Sequence, residues 1–123
     1  MSSSRRAAFL AVGSELLRAQ RVDTNSLLAV RLTAGGGIAF VEKRVVEDDE
    51  GAIAAAVGEL SRRVELLIVS GGLGPTADDV TREGVARAFG LRIGRHASLE
   101  HALEVRYRGS GRPMPAIAAR MAD

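Results

Sequence analysis

Three short apolar runs, each separated from the next by a helical pattern, constrain this 123-residue chain more than any other feature. They are Ala7–Val12 (AAFLAV), Ile38–Val46 (IAFVEKRVV) and Leu66–Val69 (LLIV). The first and third carry no polar side chain for solvent, the pattern of strands buried on both faces of a parallel sheet. In the second, Ile38 and Phe40 alternate with Ala39 and Val41. Parallel strands need crossover connections, and the intervening segments read as helices.

Asp23-Thr24-Asn25-Ser26 offers N-caps for a helix carrying Leu27, Leu28, Val30 and Leu32 through about Ala34, stopped by Gly35-Gly36-Gly37. Ile53, Val57, Leu60 and Val64 fall on one helical face, with Asp48 or Asp49 as cap. A third helix is predicted to start at Asp78 or Asp79 and to end at Phe89, with Val85, Ala88 and Phe89 inside and Gly90 beyond the end. Further on, Leu91–Ile93 reads as a small strand. Ser98 caps a helix through Arg108 with Leu99, Leu103 and Tyr107 on its core face. Gly111–Pro115 is a turn and Ala116–Asp123 a short helix. Alternating strands and helices predict an α/β domain with a mostly parallel sheet and right-handed crossovers. One domain over residues 7–123, behind a flexible segment 1–6, fits the length.

Composition narrows the function. Cys is absent, which excludes disulfides, thiolate metal sites and a Cys nucleophile. No apolar run approaches the ~20 residues of a membrane helix, and the polar start is not a secretory signal, so a cytoplasmic protein with no membrane partner is expected. The pI near 9.9 raises the question of nucleic acid. Yet residues 32–90 carry six basic and ten acidic groups, and the excess of base sits in the two flanks. No continuous basic stripe appears, and three Phe, one Tyr and no Trp leave no stacking platform. Nucleic acid is therefore not the expected partner.

Ligands of open parallel sheets bind at the carboxyl ends of the strands. Three segments leave such ends here: Gly13-Ser14-Glu15, the acidic run Glu47-Asp48-Asp49-Glu50, and the loop Gly71–Glu83 (GGLGPTADDVTRE). Three glycines in four positions let backbone approach a ligand closely, and the loop enters a helix N-terminus, where free N–H groups favour an anion. Thr76 and Thr81 add hydroxyls. No Gly-Lys-Ser/Thr follows, so this is not the usual nucleotide-triphosphate loop. A tight turn with a helix cap would explain the glycines alone. The paired carboxylates Asp78 and Asp79 beside it favour a Mg²⁺-type cation shared with phosphate oxygens. Glu47 and Glu50 read as a solvated helix start; Asp48 and Asp49 stand between that and a site role. Glu15 is a site acid or a first-turn helix acid, and Asp23 and Asn25 hold a polar ligand group or cap a helix. His96 and His101 read as surface residues. No Ser sits in a nucleophile elbow.

GGLGPTADDVTRE resembles the signature of the molybdopterin-binding (MoaB/MogA-like) domain. Its form with Leu73, Pro75-Thr76 and the Asp pair is similar to the amino-terminal domain of the CinA (competence/damage-inducible) family. Val12–Ser26 (VGSELLRAQRVDTNS), Val45–Ile53 (VVEDDEGAI) and Gly111–Pro115 (GRPMP) extend the likeness. The resemblance implies a three-layer α/β/α fold that binds a phosphorylated nucleotide or pterin and self-associates as a dimer or trimer. It places the functional acids at Asp48 and Asp79, with Asp48, Asp78 and Asp79 toward a divalent metal (Mg, Mn or Co) and no organic cofactor required. The ligand-binding set it marks out is Gly13, Ser14, Glu15, Asp23, Asn25, Ser70, Gly71, Gly72, Leu73, Gly74, Pro75, Thr76 and Thr81. For the CinA branch it implies metal-dependent pyrophosphatase hydrolysis of ADP-ribose. The alternatives are molybdopterin binding with adenylyl transfer, and a truncated, non-catalytic binding module. Ser70 stands where the family usually has Thr, Ala19 where it has Gly, and Ile117-Ala118 where it has Asn residues. The family domain continues past the last residue here, so a partial domain is expected.

Overall fold

The computed structural model describes residues 4–123. Three parallel strands, β1 (Arg5–Val12), β2 (Ile38–Val46) and β3 (Leu66–Ser70), form one sheet in the order β2-β1-β3. β1 begins two residues earlier than its apolar run: Arg5 pairs with Ile38 and Arg6 with Ala39. Of the segment 1–6 expected to be flexible, residues 1–3 lie outside the described residues, and Arg5 and Arg6 are sheet. Ala7 through Val12 are all buried, as a central strand covered on both faces requires.

The two faces carry different layers. Ala8, Leu10 and Val12 pack with Ile53, Ala56, Val57 and Leu60 of α3 (Glu50–Ser61), and Val80, Val85 and Ala88 close over that cluster. The four-three-four spacing seen in the sequence thus faces the core. Asp49 caps α3, its Oδ2 accepting from the Ala52 N–H at 2.8 Å. α4 (Thr81–Phe89) crosses α3 closely, since a Cβ on Gly84 would stand 2.5 Å from Ile53 Cγ2. The opposite face meets α2 (Asn25–Thr33) near Phe9 and Phe40. A one-turn helix α1 (Ser14–Leu17) follows β1, and its exit residue Ala19 is the one non-glycine residue with positive φ among those described, at +57°.

Several expectations fail at the C-terminal end. α4 starts at Thr81, not at Asp78 or Asp79, because the Asp79 side chain folds back onto Thr76 and holds residues 76–79 in a turn. Gly90 ends the helix in the left-handed region as expected, with φ +65°, but Phe89 is 53% exposed and leaves the core to Val85 and Ala88. Leu91–Ile93 is not a strand: it runs exposed after α4 without a sheet partner. α5 (Ala97–Gly109) buries no residue; Leu99 is exposed and Tyr107 only half-buried, so neither is core. Ser98 does not cap it; the Ser98 hydroxyl pairs with His96 Nδ1 instead. His96 and His101 are both exposed. The chain ends in a 3₁₀ helix, Ala116–Ala122, that buries Ala118, Ala119 and Ala122. Among the described residues, no helix is long and apolar enough to cross a membrane.

Candidate functional site

The strand order brings the carboxyl ends of β1, β2 and β3 together. Gly13 donates its N–H to Val46 O at 2.9 Å, holding the exits of β1 and β2 side by side. Across this junction Ser14 and Asp48 exchange bonds: the Ser14 N–H donates to Asp48 Oδ2 at 3.1 Å and the Asp48 N–H to Ser14 Oγ at 3.2 Å. Asp49, one residue on, is the helix cap, so the ambiguity between the two acids resolves by their side chains pointing to different partners. The Glu15 carboxylate lies over Gly13, where a Cβ would meet Glu15 Oε1 at 2.8 Å.

On the α2 side, Asn25 Nδ2 donates to Ser70 Oγ at 2.9 Å and ties the helix start to the end of β3. Asp23 Oδ1 accepts from the Ser26 N–H at 3.2 Å, a cap for α2. Lys43 Nζ stands 2.9 Å from Asp23 Oδ2, a charge contact rather than an aligned hydrogen bond, since no well-angled donor reaches that oxygen. Burial raises the Asp23 pKa, but Lys43 and Ser26 outweigh it and leave the carboxyl below its ordinary value. Between these groups opens a cleft of about 290 Å³ whose lining includes Val12, Glu15, Asp23, Asn25, Ser70 and Gly71. Three larger hollows lie elsewhere: two of about 440 Å³, one under α5 and one beside β3 and α4, and one of about 330 Å³ between α2 and β2. None of them gathers the exits of both β1 and β3, as the smaller cleft does through Val12 and Ser70, so the smaller cleft is the candidate site.

The Gly-rich loop borders this cleft. Gly71 has φ +94°, and a Cβ there would sit 2.2 Å from Val12 O, so the backbone of β1 and the loop approach as closely as only glycine permits. The loop's carbonyls are claimed in succession. The Thr81 hydroxyl donates to Gly71 O at 2.7 Å, and the Thr81 N–H to Gly72 O at 3.2 Å. Arg82 donates to Leu73 O at 2.6 Å and Gly74 O at 3.2 Å. Arg120, from the 3₁₀ helix, donates to Pro75 O at 3.0 Å and Thr76 O at 2.6 Å. The loop's acceptors are thus occupied by a hydroxyl, an N–H and two guanidinium groups.

Asp79 is drawn into this loop rather than out of it. Its Oδ2 accepts from the Thr76 hydroxyl at 2.7 Å and the Thr76 N–H at 3.0 Å. The Thr76 hydroxyl is the main cause that holds the Asp79 carboxyl below its ordinary pKa; partial burial opposes it, and the Thr76 and Gly74 N–H groups and the Arg82 charge add to the lowering. Asp78 is exposed beside it. Asp48, Asp78 and Asp79 do not form a metal cage: among the described residues no three His, Asp or Glu side chains stand close enough to hold an ion.

Sequence reasoning missed two residues here. Arg82 lies inside the Gly71–Glu83 stretch, and its place one residue into α4 could have marked it. Arg120 is distant in sequence, and nothing local marks it.

A family profile described as a probable molybdopterin binding domain matches residues 8–122. Among curated proteins, a CinA-like protein of Frankia casuarinae is 41% identical over 96% of this chain. One of Geobacter metallireducens is 49% identical over 70% of it. The alignments span 28% and 21% of those relatives, so the chain matches about a quarter of their length. Among solved structures, CinA of Thermoplasma acidophilum superposes with a TM-score of 0.87 at 29% identity, covering 98% of this chain and 70% of that one. MoaB, a molybdopterin biosynthesis enzyme of Thermus thermophilus, shares the fold with a TM-score of 0.64 at 24% identity, covering 94% of this chain and 70% of that one.

Proposed function

The chain belongs to the molybdopterin-binding domain family, on its CinA-like side, and from that premise we propose that it binds a phosphorylated nucleotide or pterin at the strand ends and hydrolyses the diphosphate bond of a nucleotide such as ADP-ribose. The observation that carries the reading is that the carbonyls from Gly71 to Thr76 are all engaged within the protein, so that the loop offers a ligand few acceptors beside a polar cleft. The diphosphate lies along Gly71–Thr76, and the ribose or ring enters the cleft between Asp23, Asn25 and Ser70.

The carboxylates of Asp48 and Asp79 offer the hard oxygens that Mg²⁺, Mn²⁺ or Co²⁺ takes. With no third acid nearby among the described residues, they fit an ion that enters with the ligand's phosphates, not one resident in the protein. Such an ion supplies neutralisation of phosphate charge and polarisation of the phosphorus oxygens. The protein's own part is positional. The Ser14–Asp48 pair fixes the Asp48 carboxylate at the β1–β2 exit, and the Thr76–Asp79 bonds fix the second acid at the foot of the loop. Arg82 adds positive charge behind the loop, where negative charge on the transferred phosphoryl group grows, while the charge of Arg120 is matched by Glu83.

The test is AMP release from ADP-ribose with each divalent ion, comparing the wild type with Asp79→Asn. Equal rates refute the assignment. The MoaB-like fold favours a second reading, molybdopterin binding with adenylyl transfer from ATP. It is chosen instead if molybdopterin binds and is adenylylated while ADP-ribose is untouched. A non-catalytic binding module gives ligand-induced thermal stabilisation with no product.

A further inference from the structure

Arg120 touches four groups at once. Besides Pro75 O and Thr76 O, it donates through Nη2 to Asp79 O at 3.3 Å and to Glu83 Oε1 at 3.0 Å. Its partners lie 37 to 45 residues upstream, so these bonds exist only when the 3₁₀ helix is docked. Docking is itself secured by burial of Ala118, Ala119 and Ala122 and by the His96 N–H on Ala122 O at 2.8 Å. The guanidinium is pre-aimed by Glu83 in α4, with which it forms an ion pair at 28% and 27% side-chain exposure. A planar, fixed fork can bridge neighbouring carbonyls in a way that a point-charge ammonium cannot.

The turn that Arg120 grips is the one that carries Asp79. Pro75 O and Thr76 O flank the Thr76 N–H and hydroxyl that hold the Asp79 carboxylate, and Asp79 O is gripped directly. Holding these carbonyls fixes their peptides, among them the one whose Thr76 N–H donates to Asp79 Oδ2. We propose that Arg120 is a positioning residue: it locks residues 75–79 so that the loop keeps the shape its ligand meets and the Asp79 carboxylate stays at the loop's foot. The C-terminal 3₁₀ helix is thereby part of the site's machinery rather than a cap on the fold. The inference deepens the reading of this loop as an anion site and rests on it for its functional meaning.

The test uses the full 123-residue chain as Arg120→Gln and Arg120→Lys, with amide exchange read residue by residue in the absence of ligand. In Arg120→Gln the Thr76 and Asp79 amides, which donate to Asp79 Oδ2 and Thr76 O, are expected to exchange at least about tenfold faster. The Gly13 amide, on Val46 O, keeps its rate. Arg120→Lys recovers part of the protection, because one ammonium still reaches one carbonyl. Affinity for inorganic pyrophosphate falls in step, about tenfold in the Gln variant and less in the Lys variant. Unchanged exchange at Thr76 and Asp79, or an equal rise at Gly13, overturns the positioning role, since Arg120 then stabilises the whole fold or nothing. If the wild type binds no pyrophosphate, the anion-site reading fails, while the exchange rates still decide whether Arg120 orders the turn.

Discussion

Replacing Gly71 by Ala tests the close approach on which the site is built. At Gly71 two costs add. Its φ of +94° lies where L-residues are strained by about 1–2 kcal/mol. The new Cβ would stand 2.2 Å from Val12 O, more than about 1 Å inside ordinary C···O contact. Val12 cannot yield cheaply, since it is 2% exposed in the central strand, paired with Val46 on one side. Overpacking of this kind costs about 1–3 kcal/mol. The sum, about 2–5 kcal/mol, is a large share of the ~5–15 kcal/mol of a typical domain. At this chain length it should lower Tm by roughly 10–20 °C. Gly35→Ala is the matched control: its φ is +82°, but nothing stands within 4 Å of the added Cβ, so only the backbone cost of about 1–2 kcal/mol applies. Urea titrations followed by circular dichroism give both stabilities. If Gly71→Ala costs no more than Gly35→Ala, the loop does not press against β1 and the reasoning fails.

Three further outcomes are expected. Ala19→Gly should stabilise the fold by up to about 1 kcal/mol, because Ala19 holds φ +57°; an unchanged or lower urea midpoint counts against this. Asp79 has a folded pKa below its unfolded value, so its contribution is complete above the ordinary carboxylate range, near pH 4. That contribution declines as pH falls through the depressed folded pKa; Asp79→Asn should therefore remove part of the acid sensitivity below about pH 4, read as a flatter stability–pH curve. If the chain hydrolyses ADP-ribose as proposed, chelation by EDTA should abolish turnover yet move Tm by less than about 1 °C, since among the described residues no three acidic or His side chains form a structural metal site; a large fall in Tm would contradict that.

The fold was legible because its signals are local. Ile53, Val57 and Leu60 announce α3 by spacing, Asp49 by its capping oxygen, and Gly90 by the turn that ends α4. The same locality explains the failures. Leu91–Ile93 has strand-like residues, but a strand exists only if an edge receives it, and none does here. Leu99 and Tyr107 have helical spacing, but α5 reaches no core for them to enter. The site was half legible. Glu15, Asp23, Asn25, Ser70 and Gly71 do line one cleft, whereas Asp48, Asp78 and Asp79 share a neighbourhood in sequence logic but not a metal cage.

By itself, then, the sequence determined the alternation of strands and helices, the caps and the glycine loop, all of which depend on residues a few positions apart. The tertiary structure alone decided how Ser14 meets Asp48 and how Arg120 reaches a loop more than 40 residues before it. Those bonds join segments that come together only when β1 is buried and the 3₁₀ helix is docked. Their energies depend on packing that no local pattern encodes.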